Sequence, residues 1–229
     1  MSITYLEPGG SLAFPDPLHC SDDVVAVGAD LAPERVLFAY DCGIFPWFGE
    51  DDLPLWWSPD PRAVLPIDAM HVSRSLRRVV DRGRFRLTWN RCFRRVMEEC
   101  SLDRPDGIWI HALMVDSYTS LHEAGHAHSL EVWIDDALVG GIYGVQRGAL
   151  FAAESKFHRV TDMSKIALLA LVTSLRQAGV ELIDVQLMTP HLSSLGVVEW
   201  PRARYLAELA RLRELEVDLK GLVPRLCQA

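Results

Sequence analysis

The chain has 229 residues, 49% of them hydrophobic, and a formal net charge of -8, enough to bury a sizeable core in one large domain or two unequal ones. No run of about eighteen apolar residues occurs, and the start, MSITYLEPGGSLAFPDP, has neither a basic opening nor an apolar stretch behind it, so neither a membrane span nor an export signal is expected and the expected location is the cytoplasm. The acidic balance argues against wholesale nucleic-acid binding. Five cysteines, Cys20, Cys42, Cys92, Cys100 and Cys227, are odd in number and show no C-x-x-C spacing. Reduced, mostly buried thiols are expected, with neither a disulfide framework nor a thiolate zinc site.

The N-terminal stretch is rich in Pro, Gly, Trp and Asp. Pro33 opens a predicted helix over PERVLFAYDCG at the favoured first position, and Gly43 closes it. IFPWFGEDDLPLWWSPDPRAVL then sets Trp47, Trp56 and Trp57 among prolines, a rigid aromatic loop. Such tryptophans either form the core of a small domain or stack on a nucleobase. The pattern changes after residue 62, which divides a small N-terminal domain (1–62) from a larger one (63–229).

SRSLRRVVDRG, NRCFRRVMEEC and DSYTSLHEAG read as helices, the last ending at Gly125. Residues 71–95 carry nine arginines against the single acid Asp81. A local basic face of this kind either steers a polyanion or is a solvated surface paired with acids elsewhere. HSLEVWIDDALVGGIYGVQRGALFAAES reads as three antiparallel strands with turns at Asp135-Asp136 and Arg147-Gly148. The nearly all-apolar helix DMSKIALLALVTSLRQAG follows, with Asp162 as its expected cap and Gly179 beyond its end. VELIDVQLM is a strand of alternating character.

His122-Glu123-Ala124-Gly125-His126 matches the H-E-x-x-H zinc-protease pattern. That chemistry needs both histidines within one helix and a third ligand on a following element. Gly125 stands where the helix should stop, and His126 already leads into a strand. No metal site is expected, and the histidines are read as structural.

An antiparallel sheet, then strand, helix and strand is the order of GNAT-like acyltransferases, so the expected fold class is α+β with a GNAT-like mixed-sheet domain after the small one. Acetyl-CoA members open that helix with a glycine-bearing loop whose N–H groups hold the pyrophosphate. Here the loop is KFHRVTDMSK, without glycine. Coenzyme A is not expected as the donor, and no cofactor is expected.

GADLAPERVLFAYDCGIFPWF, LWWSPDPRAVL, HVSRSLRR, HEAGHAHSLEVW, LVGGIYGVQRGALFAAESKF, ELIDVQ and SSLGVVEWPRARY together resemble the leucyl/phenylalanyl-tRNA–protein transferases, in family order from about residue 24 to 206. The resemblance implies transfer of Leu or Phe from aminoacyl-tRNA to the α-amine of a protein beginning with Lys or Arg, without metal or coenzyme A. It implies Asp184 and Gln186 as the catalytic pair and Glu154 as the active-site carboxylate. Trp47 and Trp109 match the tryptophans that hold the terminal adenosine. Ile142, Leu168, Leu171 and Leu175, with Lys156, match the pocket for the aminoacyl side chain, and the four apolar residues suit Leu, Phe or Met. Arg74, Arg77 and Arg78 would lie under the acceptor stem and contact phosphates without reading sequence.

The residues suit that chemistry. An aminoacyl ester is already activated, so the enzyme must chiefly hold a neutral amine against the carbonyl, and orientation can supply roughly 7–11 kcal/mol. Strand alternation puts Asp184 and Gln186 on one face; the Gln186 carbonyl can accept a hydrogen bond from the amine while Asp184 orients or polarises it. Departures from the family pattern cluster near the substrates: Lys156 in place of a methionine, His158 and Met163 before the helix, and Thr189-Pro190 after the catalytic strand. They suggest a preserved donor and leave two acceptors open, a basic protein N-terminus or a small basic amine such as an antibiotic. A non-catalytic tRNA- or peptide-binding protein is the reading of another class.

Overall fold

The computed structural model describes residues 3–102 and 109–226. The chain opens with β1 (Thr4–Leu6), β2 (Val24–Gly28), α1 (Pro33–Asp41), β3 (Phe45–Pro46) and β4 (Leu55–Trp57), whose strands form a small sheet in the order β1-β2-β4-β3. Pro33 stands at the first position of α1, where a missing N–H costs nothing. The aromatic loop folds into β3 and β4. Trp56 is fully buried and its Nε1–H donates to the Gly28 carbonyl at 2.9 Å, while Trp57 Nε1–H donates to the Trp47 carbonyl at 2.7 Å, as indoles in apolar surroundings require.

The larger part runs β5 (Arg62–Pro66), α2 (Arg74–Arg82), β6 (Arg86–Trp89), α3 (Phe93–Ser101), α4 (Ala112–Glu123), β7 (Ala127–Ile134) and β8 (Ala137–Arg147). It continues with β9 (Leu150–His158), α5 (Met163–Ala178), β10 (Leu182–Gln186), α6 (Pro190–Ser193), β11 (Val198–Trp200) and α7 (Arg202–Leu212). The seven strands are ordered β11-β5-β10-β9-β8-β7-β6. β9 and β10 pair in parallel and the neighbouring pairs are antiparallel, because α5 carries the chain back between them. This is the α+β, GNAT-like mixed sheet that the element order implied.

The sheet has an apolar cluster on each face. Leu182, Tyr118, Tyr143 and Met97 belong to one, which also takes in Val25 and Trp56 of the small sheet. Ile183, Ile142, Leu130 and the α5 residues Leu168, Leu171 and Leu175 belong to the other. Leu182 and Ile183 thus enter opposite clusters, as strand periodicity dictates. α5 is apolar nearly all round because it lies beneath the sheet, α2 and the C-terminal Leu219. The two sheets share a core, and Arg62, the last residue of the expected small domain, is the first of β5.

Several local expectations need correction. Asp162 precedes α5 in the left-handed region at φ 70° and makes no side-chain cap; its carboxylate instead pairs with Lys165 at 2.7 Å, because the left-handed turn takes it away from the free amides. β8 runs through Arg147, so the turn begins one residue later, at Gly148 with φ 57°. The thiols are less buried than expected: Cys100 is buried, but Cys20, Cys42 and Cys92 are half-buried, Cys42 and Cys92 because they stand at helix ends. Cys227 lies outside the described residues.

α4 ends at Glu123, Gly125 adopts φ 85°, and His126 lies beyond the helix. His122 stacks on Phe93 with ring centroids 4.5 Å apart and its Nδ1 meets the Ala127 carbonyl at 2.8 Å. Among the described residues no helix is long and apolar enough to cross a membrane.

Candidate active site

The site lies where β9 and β10 part. Their pairing runs from Leu182 opposite Leu150 to Asp184 opposite Ala152, while β9 continues to His158. Two bulges sit at this point. Between β8 and β9 the register passes from Tyr143 opposite Ser155 to Gly144 opposite Ala153, leaving Glu154 as the extra residue. Between β5 and β10 it passes from Asp184 opposite Val64 to Gln186 opposite Ala63, leaving Val185 over. Bulges re-aim side chains. Here they bring Gln186 Nε2 to 3.2 Å from Glu154 Oε1. Gln186 itself is held at φ 62°, a left-handed conformation that costs a non-glycine residue of order 1–3 kcal/mol and tends to mark functional sites.

Asp184 supports that conformation from behind. Its side chain is fully buried and accepts Arg62 Nε at 2.8 Å, Arg62 Nη2 at 2.6 Å, the Tyr205 hydroxyl at 2.9 Å and the Gln186 backbone N–H at 2.9 Å. Arg62 lies over the rings of Phe45 and Tyr205, at 4.8 and 4.5 Å from their centroids, and donates to the Gly43 carbonyl at 3.2 Å. Two fork-to-fork bonds on a dry aspartate fix geometry as well as charge. Asp184 therefore positions Gln186 and does not itself face the cavity.

Glu154 lines the cavity. Burial pushes its carboxyl up to about 8, with Asp184 adding to the rise, and a hydrogen bond from Tyr40 and the charge of Arg62 opposing it. Tyr40 in turn meets Tyr118, hydroxyl to hydroxyl, at 2.7 Å. Burial, then the charge of Glu154, holds both phenols well above their ordinary value, so both hydroxyls keep their protons.

The cavity, of about 250 Å³, is lined by Phe45, Pro46, Trp47 and Trp109, by Glu154, Val185 and Gln186, and by Leu187, Thr189 and Leu192. It brings together four of the expected site residues, Trp47, Trp109, Glu154 and Gln186. Thr189 and Pro190 begin α6: the Thr189 hydroxyl accepts the Leu192 N–H at 3.2 Å and Pro190 takes the first position.

Ile142, Leu168, Leu171 and Leu175 are 0–3% exposed in the second cluster and do not line this cavity. Their shared surface reaches it through Val185 and Leu192, which pack against the same cluster. Lys156 stands opposite Ile142 on β8 and so belongs to the α5 side of the sheet, whereas Glu154 turns to Tyr40. The bulge separates two residues that simple alternation would put on one face. Arg74, Arg77 and Arg78 are exposed along α2, and among the described residues none of them pairs with a carboxylate. α2 is bounded by the Ser73 hydroxyl, which accepts the Leu76 N–H at 3.2 Å, and by Gly83 at φ 59°.

Arg62, Tyr40, Tyr118 and Tyr205 were not singled out from the sequence as site residues. Arg62 at the head of an apolar strand is a usable signal, since a buried arginine requires a carboxylate.

The family profile of the leucyl/phenylalanyl-tRNA protein transferases matches residues 64–210, and the profile of that family's N-terminal domain matches residues 29–60. The chain belongs to this family. It is 48% identical over 218 residues to a leucyl/phenylalanyl-tRNA–protein transferase of Citrobacter koseri, covering 94% of this chain and 93% of that one. It is likewise 48% identical to one from Klebsiella pneumoniae strain 342, with the same coverage. The structure of L-PGS from Bacillus licheniformis aligns at a TM-score of 0.41 and 11% identity, over 72% of this chain and 53% of that one.

Proposed function

We propose that this enzyme transfers Leu or Phe from aminoacyl-tRNA to the α-amine of a protein whose N-terminal residue is Lys or Arg. The observation that carries the reading is the meeting of Glu154 and Gln186 at the bulged parting of β9 and β10, in a cavity shared with Trp47 and Trp109. The relatives' shared name supports a protein acceptor over a small basic amine, and the donor, a product of cytoplasmic charging, supports a cytoplasmic location. An aminoacyl ester needs no further activation, so the proposed reaction calls for neither metal nor cofactor.

In this reading the terminal adenine lies against the indoles of Trp47 and Trp109. The acyl side chain rests on Val185, Leu187 and Leu192, continuous with the apolar surface of Ile142, Leu168, Leu171 and Leu175. The acceptor arrives as an ammonium whose ordinary pKa of about 8 matches that of Glu154, so proton transfer between them costs little. Ionised Glu154 takes one proton and leaves a neutral amine. With Gln186 Nε2 committed to Glu154, the amide oxygen is free to accept an amine N–H and aim the nitrogen at the ester carbonyl.

The C–N bond forms and the C–O bond to the ribose breaks. Glu154 gives its proton to the departing ribose oxygen, and the nitrogen's second proton returns to Glu154. Asp184 and Arg62 hold Gln186 throughout.

The test is transfer of labelled Leu or Phe from charged tRNA to a peptide beginning with Arg, with and without Gln186→Ala. Robust transfer lost in the variant supports the reading. Failure of the unaltered enzyme to acylate any amine would return the chain to the tRNA-binding class.

A further inference from the structure

Of the nine arginines between residues 71 and 95, four lie on α2 and Arg94 is paired with Glu98 and Asp116. Arg86 and Arg91 are exposed, yet each has a fixed seat. Arg86 opens β6, the edge strand of the larger sheet, opposite Trp133 on β7, and Arg91 stands between β6 and α3. Both guanidinium groups lie over the Trp133 ring, each with its central carbon 5.4 Å from the ring centroid, and among the described residues neither pairs with a carboxylate. The indole is itself held: its Nε1–H donates to the Thr88 hydroxyl at 2.7 Å, and that hydroxyl donates to Glu131. Glu131 is fully buried and also accepts from the Ser129 hydroxyl and the Cys92 N–H. Two like charges gathered on one indole without a counter-charge repel each other, and an anion beside them relieves that repulsion. Each guanidinium presents a planar fork of N–H donors, the geometry that phosphate oxygens accept.

The pair is continuous with the arginine helix, since only Gly83, Arg84 and Phe85 separate α2 from β6. Leu76, Val79 and Val80 of α2 pack with Leu87 and Trp89 of β6 in the apolar cluster on the α5 side, whereas Trp133 belongs to the cluster on the other face. The basic surface therefore wraps the β6 edge, with α2 on one face of the sheet and Arg86 and Arg91 on the other. β6 stands three strands from β9, roughly 14 Å at about 4.8 Å per strand. A nucleoside seated in the cavity does not span that distance. A long polyanion does.

We infer that Arg86 and Arg91, seated on Trp133, bind backbone phosphates of the donor tRNA beyond its terminal adenosine, so that the RNA is held from both faces of the β6 edge. The proposal rests on the reaction proposed above and adds a contact to the body of its donor. Such contacts fix the position of the RNA without reading its sequence.

The experiment measures transfer to a short Arg-initiated peptide from two donors, full-length phenylalanyl-tRNA and phenylalanyl-adenosine, over a range of salt concentrations. The unaltered enzyme is compared with a double variant carrying Arg86→Gln and Arg91→Gln and with one carrying Arg86→Lys and Arg91→Lys. The glutamine pair should raise the KM for the tRNA on the order of tenfold at low salt and reduce the slope of its logarithm against that of salt by about 2, one for each phosphate released. The lysine pair keeps both charges and should keep most of that slope. For phenylalanyl-adenosine, KM and kcat should stay unchanged in both variants. Equal losses with the two donors would make the arginines a structural cover for Trp133, and an unaltered KM and slope for the tRNA would place its backbone elsewhere. A raised KM for a full-length acceptor protein, with that for tRNA unchanged, would give the surface to the acceptor. Each of these three results overturns the proposal. Should the unaltered enzyme transfer from neither donor, the reaction itself is wrong and this contact falls with it.

Discussion

Gln186 donates its side-chain amide to Glu154 across 3.2 Å, and the two residues meet because each stands beside a bulge in a different strand pair. Straight strands would carry Glu154 and Lys156 to one face. The irregular pairing keeps the carboxylate beside Tyr40 and leaves the lysine on the α5 side, so the polarity of the site is set by where the ladder breaks.

Glu154 should make the fold less stable as pH rises. Its folded value of about 8 lies above the ordinary carboxyl value of 4.5, so the native state holds a proton that the unfolded chain releases. Stability is then unaffected below the lower value, falls on the order of 1 kcal/mol per pH unit between the two, and levels off above the higher one. Glu154→Gln, neutral at every pH, should escape this decline. Urea unfolding of both proteins between pH 4 and 9 checks it, and parallel curves would show that the carboxyl is not perturbed.

The same substitution should lower kcat by roughly 10²–10⁴, the usual contribution of a positioned acid–base group. At saturating acceptor the unaltered enzyme should gain rate through pH about 8 as Glu154 ionises. Rate-against-pH profiles decide the matter: a variant that keeps both rate and limb would exclude Glu154 as the proton carrier.

Asp184→Ala should destabilise by about 3–5 kcal/mol, since it strands a buried guanidinium. Replacing Arg62 and Asp184 together with leucines should recover much of that stability while leaving transfer impaired, because the Gln186 N–H loses its acceptor. Denaturation midpoints and transfer rates of the two variants and the unaltered enzyme separate folding from positioning. Full activity in the double variant would show that the left-handed Gln186 needs no such anchor.

Much of this architecture was legible locally. Pro33 opens α1, Ser73 and Gly83 bound α2, and Gly179 follows α5, each through backbone chemistry carried by the residue itself. The family motifs brought Glu154, Asp184, Gln186 and the two tryptophans into view. The bulges were not legible, because the extra residue is defined only against a partner strand distant in sequence. For the same reason the pairing of Arg62 with Asp184, across 122 positions, left no local trace, although an arginine at the head of an apolar strand signals that some carboxylate must meet it. Ile142, Leu168, Leu171 and Leu175 belong to one apolar cluster between β8 and α5, a matter of packing between elements that no single stretch of sequence states.

The tryptophans should act on donor binding and leave chemistry alone. Trp47 and Trp109 share the cavity, and Trp47 is braced by Trp57, whose ring lies 5.2 Å away and whose N–H holds its carbonyl. Each stacked base is worth about 1–3 kcal/mol on alanine substitution, so Trp47→Ala or Trp109→Ala should raise the donor KM by roughly 5- to 150-fold. At saturating donor, kcat should hold, and Trp47→Phe should lose less than Trp47→Ala. The donor best suited to the measurement is phenylalanyl-adenosine, which removes every contact to the tRNA body. A loss of kcat with unchanged KM would move the indoles from the adenosine to the acceptor, and the cavity would then have to be read with the donor entering from α6.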